Sequence, residues 1–238
     1  MKVDILAFAA HPDDIELAAS GTILKHIALG YKVAIVDLTK GELGSRGTAE
    51  TRKEESEISS KLLGISDRKN LDLGDGFFTH SQENLLKIVE QIRHFQPQII
   101  LANAPNDRHP DHGKGSRLVA DACFLAGLLK IETTYDGEKQ LPHRPKTTLF
   151  YIQDRYLKPD LIIDVTQFVD KKIECIKAFK TQFFDPESKE PNTPISGPEF
   201  LDFVKARLSD MGRTIGVKYG EGFITERTLG VDSFFDLR

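Results

Sequence analysis

Two apolar runs in this chain end in charged turns, the first without a spacer. Val3 to Ala9 (V-D-I-L-A-F-A) leads directly into Ala10-His11-Pro12-Asp13-Asp14-Ile15-Glu16, and Gln98 to Ala102 (Q-I-I-L-A) leads into a segment containing Asn106-Asp107-Arg108-His109-Pro110-Asp111-His112. Near-continuous apolar runs of this length suit strands of a parallel sheet covered on both faces. Further strands are expected at Lys32–Leu38 and Asn70–Leu73. Helices are expected from the acidic turn to a stop at Gly30, over Thr48–Leu63, from a Ser81 cap to Phe95, and from about Gly115 to Lys130. The Gly-rich stretch Thr39–Thr48 and the segment Gly74–His80 read as loops. Such alternation, with right-handed crossovers, gives an α/β fold: a Rossmann-like, doubly wound, mostly parallel sheet flanked by helices. Ligands of such sheets bind beyond the carboxyl ends of the strands, so both charged turns fall on one edge.

The second half is less regular. Glu132–Lys146 is a Pro- and charge-rich connection, Leu149–Ile152 and Leu161–Val165 read as strands, and Gln167–Phe183 and Pro198–Arg213 read as helices. Between those helices, Phe184–Gly197 carries three prolines, and long loops of this kind serve as lids or oligomer contacts. The chain closes with Gly220-Glu221-Gly222-Phe223-Ile224, to which no element is assigned. With 238 residues, 39% hydrophobic and 29% charged, the expectation is one domain over 1–238 with an irregular C-terminal part. The net charge of −4 argues against nucleic acid as the partner. No apolar run approaches the roughly 20 residues that span a bilayer, and the N-terminus lacks a signal-peptide pattern. Cys123 and Cys175 stand apart in helical patterns and read as buried thiols. The expectation is a cytoplasmic protein.

The first turn packs three acids and a histidine into six residues, and like charges at that spacing raise each other's pKa or demand a cation. A catalytic zinc needs three protein ligands and an open position. His11 and Asp14 can supply two and His112 the third, a set that suits Zn²⁺ and also Fe²⁺. Asp13 is then free to accept a proton from water. His109 can lie beside the metal without binding it, stabilising an oxyanion as an imidazolium or protonating a leaving amine. Asp111 can orient His109 or a ligand. Each turn alone also reads as an N-capping or surface turn; it is their pairing at strand ends that points to metal. Glu16 reads as support. Arg52 reads either as a solvated helix residue or as part of the active-site rim. Arg108 can pair with a substrate carboxylate or with Asp107. A dinucleotide site is excluded, because the first turn lacks Gly-x-Gly-x-x-Gly and its acids repel phosphate.

With both turns in hand, the sequence resembles the LmbE-like, or PIG-L, deacetylases. Their Ala-His-Pro-Asp-Asp-x-Glu motif is met by Ala10 to Glu16, and their His-Pro-Asp-His motif by His109 to His112. The resemblance implies a metal-dependent hydrolase that removes acetyl groups from N-acetylglucosaminyl compounds, with zinc on His11, Asp14 and His112, Asp13 as general base and His109 facing the oxyanion. It puts Arg52 at the active-site rim; Arg52 or Arg108 would hold the sugar or a carboxylate of the substrate. Asp107–His112, Lys158-Pro159, Lys177–Phe183 and Gly216–Phe223 are most similar to the bacillithiol-biosynthesis branch, which implies N-acetylglucosaminyl malate as substrate. Other readings are a deacetylase of another sugar such as diacetylchitobiose, a conjugate amidase, or a non-catalytic metal-binding module. Some relatives place a Tyr from the C-terminal half near the oxyanion; here that helix begins Pro198-Glu199-Phe200. Family members often form trimers or hexamers, which makes a homo-oligomer an expectation.

Overall fold

A computed structural model of the chain describes residues 1–237. The first half is β1 (Ile5–Ala9), α1 (Asp14–Ala18), α2 (Ser20–Ala28), β2 (Val33–Asp37), α3 (Ala49–Leu63), β3 (Asp67–Asn70), α4 (Gln82–Phe95), β4 (Ile99–Asn103) and α5 (Pro110–Ala126). It continues with a small hairpin of β5 (Thr134–Tyr135) and β6 (Glu138–Lys139), then β7 (Thr147–Tyr151), β8 (Leu161–Asp164), α6 (Val169–Lys177), α7 (Phe200–Thr214) and β9 (Gly220–Thr225). The seven-stranded sheet has the order β3-β2-β1-β4-β7-β9-β8. Neighbours from β3 to β7 are parallel, and β9 runs antiparallel to both β7 and β8. The α/β fold with a mainly parallel sheet is therefore the one expected.

Side chains of β1 alternate between two cores. Leu6 and Phe8 pack with Ile92 and Phe95 of α4 and Leu118 and Val119 of α5. Ile5, Ala7 and Ala9 pack with Ile15, Ile23 and Leu24 of the opposite layer. Burial on both faces is why the strand is apolar throughout. The Ser81 cap falls where the sequence places it, and Thr48, at the start of the expected helix, caps α3. Thr48 accepts from the Thr51 N–H at the start of α3, and Ser81 accepts from the Asn84 N–H at the start of α4. Gly64 ends α3 with φ of 74°, a conformation glycine adopts without strain.

Five expectations shift. The single helix expected from the acidic turn to Gly30 is broken at Ala19 into α1 and α2. The helix expected from Gly115 begins at Pro110, with His109 as its N-cap accepting from the Asp111 N–H; proline is suited to that first position, where its missing N–H costs nothing. The second charged turn is thus the first turn of α5. The strand expected at Asn70–Leu73 lies at Asp67–Asn70, a polar edge strand paired only with β2. The helix expected over Gln167–Phe183 is regular only through Val169–Lys177. Last, Gly220–Thr225 is a strand inside the sheet. Glycines on both elements allow α7 to press on it: a Cβ at Gly212 of α7 would stand 2.8 Å from the Tyr219 backbone just before the strand, and one at Gly222 of β9 2.8 Å from the Met211 sulfur. No helix among the described residues is long and apolar enough to cross a membrane.

Candidate metal centre

β1 and β4 are neighbours, and the order of the sheet reverses between them. This is the switch point where a crevice opens. Asn103, at the carboxyl end of β4, stitches the two turns together. Its Oδ1 accepts from the Ala10 N–H at 2.8 Å and its Nδ2 donates to Asp14 Oδ2 at 2.9 Å. Asp14 opens α1, and its carboxylate also accepts from the His11 N–H and from Gln153 Nε2 beyond β7. Asp13 has φ of 134°, a region that non-glycine residues enter at a cost of about 1–3 kcal/mol and that clusters at functional sites.

The break between α1 and α2 is held by a buried ion pair. Lys172 Nζ of α6 donates to the carbonyls of Glu16 and Leu17 that α1 leaves open, and lies 2.9 Å from Glu221 Oε1 of β9. The Glu221 carboxylate accepts the Gly21 and Thr22 N–H groups that begin α2. A cation thus closes one helix and an anion opens the next, each opposite the helix end it complements. Glu16 itself is fully buried against Arg68 and Ser59, the supporting place expected for it.

His11, Asp14 and His112 come together in the same way from both sides. His112 Nδ1 lies 2.7 Å from Asp107 Oδ2, and its Nε2 faces Asp14 Oδ1 at 3.2 Å. His11 Nε2 lies 3.1 Å from Asp75 Oδ1, and its Nδ1 faces Asp14 Oδ2 at 3.7 Å. Each imidazole therefore offers its outer N–H to a carboxylate and turns its inner nitrogen toward Asp14. Two ligands about 2 Å from a tetrahedral ion stand about 3.3 Å apart, and each histidine stands near that distance from its own oxygen of Asp14. An outer carboxylate on a ligating histidine is the usual support of a metal site. The donor set therefore fits a divalent cation. The nitrogens of His11, His109 and His112 also lie within 4.8 Å of one another.

Among the protein groups alone, burial pulls both His11 and His112 down, yet the surrounding carboxylates win. His112 is carried up to about 9, chiefly by Asp14 and Asp107. His11 is held well above its ordinary value by Asp111, Asp14 and Asp75. Asp14 resists burial and stays well below the carboxylate range through His112 and His11. The cluster thus draws positive charge inward, as a cation site must. Burial pushes Asp13 up to about 7, against the pull of Arg52, whose Nη2 lies 3.2 Å from Asp13 Oδ1. His109 is lowered by burial and then by His11 and His112. Its Nδ1 accepts the Asp111 N–H, so its proton sits on Nε2.

The remaining sequence candidates land as follows. Arg52 is buried, 4% exposed, and spans Asp13 and the Pro12 carbonyl with Phe179 beneath it; its place is inside the cleft wall. Arg108 is half exposed and pairs with Asp154 at 3.2 Å, while Asp107 turns to His112. Asp111 accepts from the Gly76 N–H and Lys114 and lies 3.6 Å from His11 Nε2. Its carboxylate therefore serves the His11 side; only its backbone N–H meets His109. Asp75, Asn103 and Gln153, whose sequence surroundings carry no motif, complete the site together with Asp107 of the second charged turn. The Phe184–Gly197 loop folds onto the Gly-rich loop: Ser188 accepts from Arg46, and Glu190 accepts from the Gly47 N–H. The cleft over the cluster has a volume of about 380 Å³.

Comparison with known proteins agrees with this geometry. Residues 6–123 match the PIG-L family, described as GlcNAc-PI de-N-acetylase. A conserved protein of known structure from Thermus thermophilus is 33% identical, covering 97% of this chain and 98% of its own, with a TM-score of 0.85. A probable N-acetyl-α-D-glucosaminyl L-malate deacetylase 2 of Bacillus anthracis is 25% identical over 75% of this chain and 81% of its own. A 4-oxalmesaconate hydratase of Pseudomonas putida is 26% identical over 74% of this chain and 73% of its own. The two motif turns, the sheet that joins them and these matches lead to one conclusion: the chain belongs to the PIG-L family of de-N-acetylases.

Proposed function

We propose that this protein is a metal-dependent N-deacetylase acting on an N-acetylglucosaminyl compound, with His11, Asp14 and His112 as metal ligands. The observation that carries the reading is the pair of carboxylate-backed imidazoles converging on Asp14, with a second carboxylate, Asp13, left unligated beside them. Zinc or ferrous iron bound there would polarise the acetyl carbonyl and acidify a water. Asp13, poised near neutrality, takes a proton from the attacking water. His109 donates its Nε2–H to the carbonyl oxygen as negative charge develops on it, a neutral donor rather than the imidazolium of the sequence reading. As the C–N bond breaks, Asp13 returns the proton to the departing amine, which leaves acetate and a free glucosamine nitrogen. Arg52 orients Asp13 through their ion pair. Arg108 stands at the rim in its ion pair with Asp154.

N-acetylglucosaminyl malate is the first substrate to test, supported by the Bacillus anthracis relative. A hydration reaction is the second reading, favoured by the Pseudomonas putida relative, since adding water to a double bond uses the same activated water. The experiment incubates zinc-loaded protein with N-acetylglucosaminyl malate, diacetylchitobiose and 4-oxalmesaconate. Acetate release from an amino sugar is the expected result. Turnover of 4-oxalmesaconate alone overturns the deacetylase reading.

A further inference from the structure

The cleft that opens above His109 and His112 is walled on one side by α7. Phe200, Val204, Leu208 and Met211 follow one another at helical spacing and all line it, joined by Ile195 and by Phe203. Residues four and seven to eight apart share one face of a helix. Along this face burial changes steadily. Met211 and Leu208 are 4% and 5% exposed, Val204 and Phe200 are partly open, and Phe203 is 66% exposed. A face that only closed the core would be buried throughout. This one starts in the core and runs out to the cleft mouth.

The charged groups beside the same wall are already committed. Arg207, in the middle of the apolar face, gives both guanidinium ends to the carbonyls of Gln153 and Asp154. The Asp154 carboxylate stands at the rim, paired with Arg108. Among the described residues, this wall therefore offers an acidic group no unpaired cation. Binding clefts are mostly apolar, with a few polar groups that fix orientation; here the polar groups are the catalytic cluster, and the apolar part is α7.

We propose that Phe200, Phe203 and Val204 form an aglycone subsite, which selects amino-sugar substrates carrying an uncharged apolar group, aromatic or alkyl, beyond the sugar. The inference rests on the deacetylase reading and deepens it, naming the class of group attached to the N-acetylglucosaminyl ring. The occupant is the substrate, because the face is continuous with the catalytic floor of one cleft. An apolar group seated there displaces water from both Phe203 and Val204 while the acetamido group reaches the histidines.

The test measures kcat/KM for methyl, hexyl and phenyl N-acetylglucosaminides and for the malate glycoside, with the zinc-loaded full chain. Phenyl and hexyl are expected to exceed methyl by about tenfold or more, as burial of a ring or alkyl chain predicts. In Phe203→Ala and Val204→Ser the ratio is expected to fall toward one, and in Leu141→Ala, an exposed residue outside the cleft, to stay as in the wild type. Calorimetric binding of the matching glucosamine glycosides supplies a readout independent of turnover. If no glycoside is deacetylated, the activity reading fails by itself, and the same phenyl-to-methyl preference in binding still decides the subsite. Equal values across the series, or a malate glycoside preferred over all apolar ones, overturns the proposal. So does a Phe203→Ala variant that changes oligomeric state in light scattering but leaves the ratio intact, because the face would then belong to a second copy.

Discussion

The parallel half of the sheet and its antiparallel flank meet at one cleft but do different work. The parallel half, β3-β2-β1-β4, carries the two motif turns at neighbouring strand ends, and each of its strands feeds the next through a helix. The flank, β7-β9-β8 with α6 and α7, holds neither of the two motif turns. It supplies Lys172 and Glu221, which hold the break after α1, Gln153, which holds Asp14, and the apolar wall. Chemistry is thus concentrated where strand topology brings turns together, and geometry is enforced from the side where connections are long.

This contrast can be broken from either end. Removing metal with a chelator is expected to abolish activity, and zinc or ferrous iron to restore it, measured as acetate release; activity that survives full demetallation would detach the chemistry from the parallel half. Asp13→Asn is expected to lower kcat by about 10²–10⁴ with metal content unchanged by elemental analysis, and full activity in that variant would remove Asp13 from its role. On the flank, Lys172→Met leaves Glu221 buried without its partner. It is expected to cost about 3–5 kcal/mol in urea denaturation, although Lys172 contacts no catalytic group. A loss below about 1 kcal/mol would mean the break after α1 holds itself. Asp75→Asn is expected to weaken metal binding by about 10–100-fold, read by competition with a chromogenic chelator, while the fold stays intact. Smallest of all, Phe203→Ala is expected to change stability by no more than about 0.5 kcal/mol, which separates its part in the cleft from any part in the core.

Much of the parallel half is legible in the chain because its signals are local. Apolar strands buried on both faces, capping residues and helix-ending glycines each act within a few positions. The start of α5 is obscured by two glycines, Gly113 and Gly115, which look like a loop. They are needed because the helix lies close to Pro105 and Leu38: a Cβ at Gly113 would stand 3.1 Å from the Pro105 carbonyl oxygen, and one at Gly115 3.0 Å from Leu38. β9 escapes for a similar reason. Gly-Glu-Gly has little strand propensity, and its place depends on α7 pressing against it and on neighbours far away in sequence. The hairpin at 134–139 was open to detection, since Asp136-Gly137, with φ of 50° and 82°, is a favoured two-residue turn.

By itself the sequence determined that two acid- and histidine-rich turns sit at the ends of buried parallel strands, because that outcome needs only hydrophobic patterning and the handedness of crossovers. Tertiary structure decided the rest of the site. Asp75 and Asp107 back the histidines, Asn103 and Gln153 hold Asp14, and Lys172 joins Glu221 across the break after α1. Apart from Asp107, which lies in the second charged turn, each is a polar residue outside both turns whose purpose exists only against a partner brought near by folding. A cluster dense in one stretch of chain declares its charge problem locally; a single buried carboxylate declares nothing until the group it neutralises is beside it.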